Sequence, residues 1–224
     1  MKGMKFEMVL MSSFSRLAFA TSLTLAVAAL AGCDNNPSKD KAQAAVSEPV
    51  AVAAPSASSV KYVFSQADSK VAFVGAKVTR KHEGSFGTFN GTIDLVDGKP
   101  EKSTVTVDVD MASLTADDPK LTGHLKSPDL FDATKFPKAH FTSTSVKVGG
   151  DKGATHTVTG NLELHGVTKS ISFPATIKPH GDGTDVDAEF SINRKDFGVV
   201  YPGMPDDLIK DDILIKLTIR GKKS

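Results

Sequence analysis

"HTVTGNLELHGVTKSISFPATIK", His156–Lys178, decides the fold. In its first half Val158, Leu162 and Leu164 alternate with Thr157, Thr159, Asn161 and Glu163. In its second half Ile171, Phe173, Ala175 and Ile177 alternate with Ser170, Ser172 and Thr176. Successive side chains of a strand point to opposite faces, so each half reads as a strand with one apolar and one polar side. The "HGVTK" between them, residues 165–169, supplies a turn. Two such strands joined tightly form an antiparallel hairpin with one buried face.

The same period recurs in both directions along the chain. "STVTVDVDM" places Val105, Val107, Val109 and Met111 on one face. "KVAFVGAKV" alternates weakly through Phe73, Gly75 and Lys77. "AEFSIN" pairs Phe190 with Ile192, and "DILIKLTIR" aligns Ile213, Ile215, Leu217 and Ile219. Turn signals at 96–100, 149–153 and 180–184 separate the runs. About eight strands result, with a single buried side. A long sheet of this kind closes or folds over, because open edges pair with other chains. The fold class is therefore all-β, an antiparallel β-barrel of about eight strands.

One helix interrupts the pattern. In "DDPKLTGHL" Asp118 can cap, Pro119 suits the first helical position, and Leu121 and Leu125 lie one turn apart. A crossover follows through "TGHLKSPDLFDATKFPKAHF", Thr122–Phe141, with Pro128 and Pro137 as stops. Leu121, His124, Leu125, Leu130 and Phe131 are the residues of a lid over one barrel end, with His124, Asp129 and Asp132 tying it down.

The first 33 residues read differently. Lys2, Lys5 and Arg16 precede an apolar run from Leu17 to Leu30, and small residues end it. That is the form of a secretory signal, whichever of Met1 or Met11 begins it. A spanning helix needs roughly 20 apolar residues, more than this run holds. Cys33 is the only cysteine of the chain and stands at the expected cleavage site. "LAGC" resembles the lipobox of bacterial lipoproteins, in which the cysteine is lipidated and becomes the mature N-terminus. The alternative is a secretory signal with an incidental cysteine. The lipobox resemblance implies a periplasm-facing protein of the bacterial envelope. By the same resemblance Asp34 favours the inner membrane, the outer membrane being the alternative. Residues 34–59, rich in Ala, Ser and Pro without aromatics, read as a tether of roughly 28 Å as a flexible coil. The expected layout is a signal at 1–32, a lipidated N-terminus and tether at 33–59, and a barrel at 60–224.

Charge excludes some partners. Removing three basic residues and one acidic residue with the first 33 leaves 24 basic against 25 acidic. No nucleic acid partner is expected, and any membrane attachment falls to the lipid on Cys33. Catalytic and cofactor motifs are missing from the text. There is no G-x-S-x-G elbow, no His pair at metal-ligand spacing, and no phosphate loop in "GSFGTFNG". No metal and no cofactor are expected.

What remains is the barrel interior. Phe73, Phe89, Ile93, Val107, Phe141, Leu162, Phe173, Phe190 and Ile215 fall on inward parities. The same alternation serves a filled core and a lined cavity. Gly75, Gly91 and Gly160 sit on inward parities too and remove side-chain volume, which leans toward a cavity.

"GSFGTFNGTID", "HLKSPDLFDATKFPKAHFTSTSV", "VTGNLELHGVTKSISFPATI" and "FSINRKDFGV" occur in that order. Together they resemble the YceI-like family of bacterial periplasmic proteins and lipoproteins, over nearly all of residues 60–222. The resemblance implies a lipocalin-like eight-stranded barrel with a short helix over one end. It also implies a long apolar pocket for an isoprenoid or other long-chain amphiphile, and no catalysis. Relatives of this fold can pair, so a homodimer is possible. Two positions depart from the family. Lys77 stands where relatives often carry His, and Leu121-Thr122 where they often carry Arg-Asp. Lys77 shares the parity of Phe73, which suits an ammonium meeting an acidic or carbonyl head at the pocket mouth.

The expected function is a membrane-tethered carrier, store or sensor of one long-chain lipid, polyisoprenoid or quinone-like molecule. Two alternatives stand beside it. One is a lipid-modifying enzyme using His124 and His140. The other is a stress-related interaction module with a filled core.

Overall fold

Alternating strands leave one apolar face that must be covered, and this chain covers it by closing the sheet on itself. The computed structural model describes residues 35–52 and 58–224. The expected signal, Cys33 and Asp34 lie outside the described residues. Eight strands make the wall. They are β1 (Ser59–Ser65, resuming as Lys70–Ala76), β2 (Lys81–Phe86, resuming as Phe89–Val96) and β3 (Lys99–Asp110, resuming as Leu114–Ala116). Then come β4 (Lys138–Val148), β5 (His156–Leu164), β6 (Val167–His180), β7 (Gly183–Asn193) and β8 (Asp212–Lys223). Each pairs antiparallel with the next, and β8 returns to β1 through Leu214↔Val74 and Lys222↔Val63. The barrel is closed.

The breaks in the first three strands lie side by side. Phe89 N–H donates to Gln66 Oε1 (3.2 Å), and Gly87 N–H to the Ser113 carbonyl (3.1 Å), across the gaps. Two hairpins use left-handed turn residues. Asp97 (φ 54°) and Gly98 (φ 67°) join Val96 to Lys99, and His165 (φ 52°) and Gly166 (φ 74°) join Leu164 to Val167. Paired positive φ values give a turn whose twist matches the strands.

Strand directions put the 97–98, 149–153 and 181–182 turns at one end. The helix α1 (Pro119–Lys126), the 165–166 turn and the 194–211 connection lie at the other. Asp118 caps α1 as its sequence foretells, accepting from Lys120 N (2.8 Å) and Leu121 N (3.1 Å). The crossover is tied back by its own backbone. Phe131 N–H donates to the Leu125 carbonyl and Ala133 N–H to that of Lys126, each at 3.0 Å.

The expected tether is corrected. β6 and β7 pair directly only from Thr176↔Asp187 to His180↔Gly183. Above that the two strands separate, and residues 42–47 fill the seam. Ala42–Gln43 runs parallel to β7 at Phe190–Ser191, and Ala45–Ser47 antiparallel to β6 at Ser170–Ser172. Ala44 is 5 % exposed and joins the main apolar cluster, with Val46 packed against it. Ion pairs at 2.6 Å, Lys41 with Glu189 and Lys169 with Glu48, fasten both ends. The Asn161 side-chain amide clasps the backbone of Val50. The physical reason is a short alternation, Ala42, Ala44 and Val46, whose small side chains fit a gap that larger ones would not. The compact unit therefore starts at Asn35 and not at residue 60.

Candidate functional site: an apolar cavity with a basic mouth

The barrel encloses a cavity of about 450 Å³ lined almost wholly by carbon. Phe73, Ile93, Val107, Phe141, Leu162, Phe173, Phe190 and Ile215 all line it, as inward parity requires. Lys77 lines it at the end covered by α1. Phe89 does not. It is 2 % exposed, beside the strand break, and belongs to the buried cluster that includes Phe64, Val71 and Ile93. Of the lid residues, Leu121, His124, Leu125, Leu130 and Phe131 all border the cavity.

Three aromatic rings occupy the space beside glycines of the wall. The ring of Phe73 occupies the space that a Cβ on Gly84 would need, and Phe64 does the same over Gly91. Phe141 covers Gly160, where the β4–β5 register shifts. Gly91 and Gly160 therefore do not open the lumen by leaving empty space. Each receives a ring that would otherwise point to the axis. Gly75 differs, since its nearest neighbour is Ile213 Cδ1 at 3.6 Å and it borders the cavity directly. Phe173 and Phe190 stack at 4.0 Å between centroids, and Phe141 tilts against Phe173 at 5.9 Å. This aromatic row forms one side of the lumen.

The cavity reaches the surface beside Lys77, His124 and Met204, whose side chains or residues are 31 %, 37 % and 58 % exposed. The polar side chains lie at this end, and all but Tyr201 are basic. Lys77 Nζ stands 3.3 Å from Asp207 Oδ2. His82 Nδ1 is 2.9 Å from Asp117 Oδ1, with its ring facing inward and 12 % exposed. His124 Nε2 bonds Asp129 at 3.2 Å and packs edge-on against Tyr201 at 5.1 Å. Arg194 is 4 % exposed and donates to the carbonyls of Val199 (2.6 Å) and Lys210 (3.3 Å) and to Asp211 Oδ1 (3.1 Å). It thereby pins the 194–211 connection across the barrel end.

The aspartates respond to these partners. The hydrogen bond from His82 holds the Asp117 carboxyl below its usual range. At Asp207 burial raises the pKa, but the Thr79 hydroxyl and amide and the Lys77 ammonium outweigh it and hold it low. Asp212, at the start of β8, is pushed up by burial and then by the charges of Asp211 and Asp196.

His124 and His140 do not share a site. His140 borders the cavity with its backbone neighbours Ala139 and Phe141, but its ring bonds Asp108 (2.9 Å) and Thr142 (2.8 Å), which lie on the outward parity. Among the described residues no group of three or more His, Cys, Asp or Glu is placed to hold a metal. Sequence reading passed over His82, Arg194, Tyr201 and Met204. His82 shares the parity of Gly84 and Phe86 in "KHEGSF", a signal that was available. The 199–209 connection has no period to read.

A family model, the YceI-like domain, matches residues 62–221. The chain belongs to the YceI-like family. A UPF0312 protein of Pseudomonas putida is 38 % identical over 141 residues, covering 59 % of this chain and 71 % of its own. Among solved structures, Burkholderia cenocepacia BcnA is similar with a TM-score of 0.61 and 25 % identity, over 69 % of this chain and 97 % of that one. A polyisoprenoid binding domain from Saccharophagus degradans, implicated in plant cell wall breakdown, has a TM-score of 0.58 at 15 % identity. It covers 74 % of this chain and 99 % of that one. The barrel fold is thus shared with these structures.

Proposed function

We propose that the barrel binds a single long-chain apolar molecule, a polyisoprenoid or quinone-like lipid, without catalysing a reaction on it. The observation that carries this reading is the 450 Å³ cavity, apolar through its depth and basic only at its mouth. That volume falls within the range of small-molecule sites. Each buried methylene contributes about 0.8 kcal/mol, so a long chain binds without polar contacts along its length. Lys77 and His82 then meet an oxygen-bearing head at the surface. The Saccharophagus degradans domain, described as polyisoprenoid binding, supports the ligand class.

In the envelope the protein acts as a carrier, store or sensor, attached through a lipid on Cys33 and facing the periplasm. The "LAGC" sequence supports that placement. The binding role is tested by native mass spectrometry on protein purified without detergent. A retained lipid, or stoichiometric uptake of an added C40–C55 polyprenol, is expected. Neither a co-purified lipid nor any uptake would sink the reading and favour an empty interaction module.

A further inference from the structure

We infer that the rim of the cavity mouth docks on the surface of a lipid bilayer, an inference that rests on the lipid-binding reading above. Val78, Val200, Met204 and Leu208 are 56 %, 62 %, 58 % and 48 % exposed. They belong to one patch. Val78 N–H donates to the Leu208 carbonyl at 3.1 Å, and Lys77 bridges to Ile209 beside them. Met204 stands in the two-residue strand Gly203–Met204 that pairs with Asp207–Leu208. Val200 lies between Val199 and Tyr201, both of which line the cavity. Met204 lines it as well, so the exposed patch and the apolar interior form one continuous surface. Apolar side chains held in water around the opening of an apolar bore mark an interaction face.

The bilayer is the occupant that the chain itself indicates. Asn35 Nδ2 donates to the carbonyl of Lys77 at 3.4 Å, so the described chain begins on this rim. Cys33 lies two positions before Asn35, a reach of at most about 7 Å. With the lipid on Cys33 proposed above, the anchor point lies within that reach of the rim. The charged chain neighbours of the patch have both signs, Arg80 and Lys81 with Asp206 and Asp207, so the contact is apolar in origin. An isoprenoid chain passing from bilayer to bore then crosses no water.

The test uses residues 35–224, a compact unit of its own that lacks the chain's one cysteine. A single cysteine is introduced as Val200→Cys on the rim or Asp182→Cys at the far end, and labelled with a polarity-sensitive dye. Vesicles of phosphatidylethanolamine with phosphatidylglycerol, and of phosphatidylcholine alone, are the probes. A blue shift at position 200 with both vesicles, and none at 182, is expected. The double substitution Val78→Asp/Leu208→Asp should weaken binding by about tenfold or more, the scale of losing apolar side-chain burial. No shift at 200, equal shifts at both positions, or undiminished binding by the double variant would overturn the proposal. Polyprenol uptake by the double variant, measured separately in vesicle-free solution, stays at the wild-type level. If wild-type protein takes up no polyprenol, the ligand reading falls on that result alone.

Discussion

Phe73 and Gly84 face each other directly across the β1–β2 pair, and the phenyl ring lies on the glycine where a side chain would stand. The ring thus takes up space against the wall that a side chain on residue 84 would fill. It predicts that Gly84→Ala harms the protein twice. The new methyl group would meet both the ring of Phe73 and the carbonyl of Thr115, 2.7 Å from the ideal Cβ position. Overpacking of this kind costs about 1–3 kcal/mol, readable in a urea melt. The displaced ring would enter the lumen, so polyprenol occupancy should fall further than stability alone explains. Unchanged stability and occupancy would show that the ring has another place to go.

Ala44 is the second test position, because it separates a strand from a tether. Ala44→Asp puts a carboxylate into the apolar cluster with Phe173 and Phe190. An unpaired buried polar group costs on the order of 1–3 kcal/mol or more. The urea midpoint should fall accordingly, and hydrogen exchange should quicken at Ser170–Ser172 and Phe190–Ser191. A tether lying free of the wall would tolerate the change with no effect on either.

Two carboxyls should respond to pH in opposite senses. Asp117 has its folded pKa lowered, chiefly by the bond from His82. Its contribution is present above the unfolded value of about 3.9 and lost as pH falls through the folded one. Asp117→Asn should therefore flatten the acid loss of stability as pH falls below the unfolded value. Asp212 has its folded pKa raised, first by burial and then by Asp211 and Asp196. Ionising it costs stability as pH rises from the unfolded value through the raised one, so Asp212→Asn should gain on wild type above that window. Paired melts across pH, with the two variants changing in the same direction, would contradict both assignments.

The crossover gives a prediction about motion. The amides of Phe131, Asp132 and Ala133 donate to the carbonyls of Leu125, Ser127 and Lys126. If the segment opens to admit ligand, these amides exchange faster than those of β5 and slow when a polyprenol is added. Protection equal to the core strands with and without ligand would make this segment a fixed cap.

The wall was legible because its period is two and its buried face is one-sided. Val105, Val107 and Val109, or Ile213, Ile215 and Leu217, announce their orientation to any reader of the chain. The cap of α1 was legible too, since Asp118 and Pro119 act locally. Phe89 shows where parity stops being sufficient. It has the right face and is buried, but the strand breaks beside it and it does not border the cavity. The seam strand at 42–47 escaped because three small apolar residues resemble linker composition until a gap of the right width exists. Arg194 and Tyr201 escaped for a related reason. Their partners, at Asp211 and His124, are fixed by the closed barrel and not by neighbours in the chain.

The seam strand also orders assembly in time. Lys41 finds Glu189 across a sequence separation of 148 residues, and Ala42 finds Phe190 beside it. The segment leaves the ribosome before any strand of the wall, yet both of its neighbours arrive almost last. It must wait unpaired while the rest of the sheet is made, then slide into the gap that β6 and β7 leave. Short side chains and flanking charges suit a segment that waits in water, since it cannot pair until β6 and β7 exist.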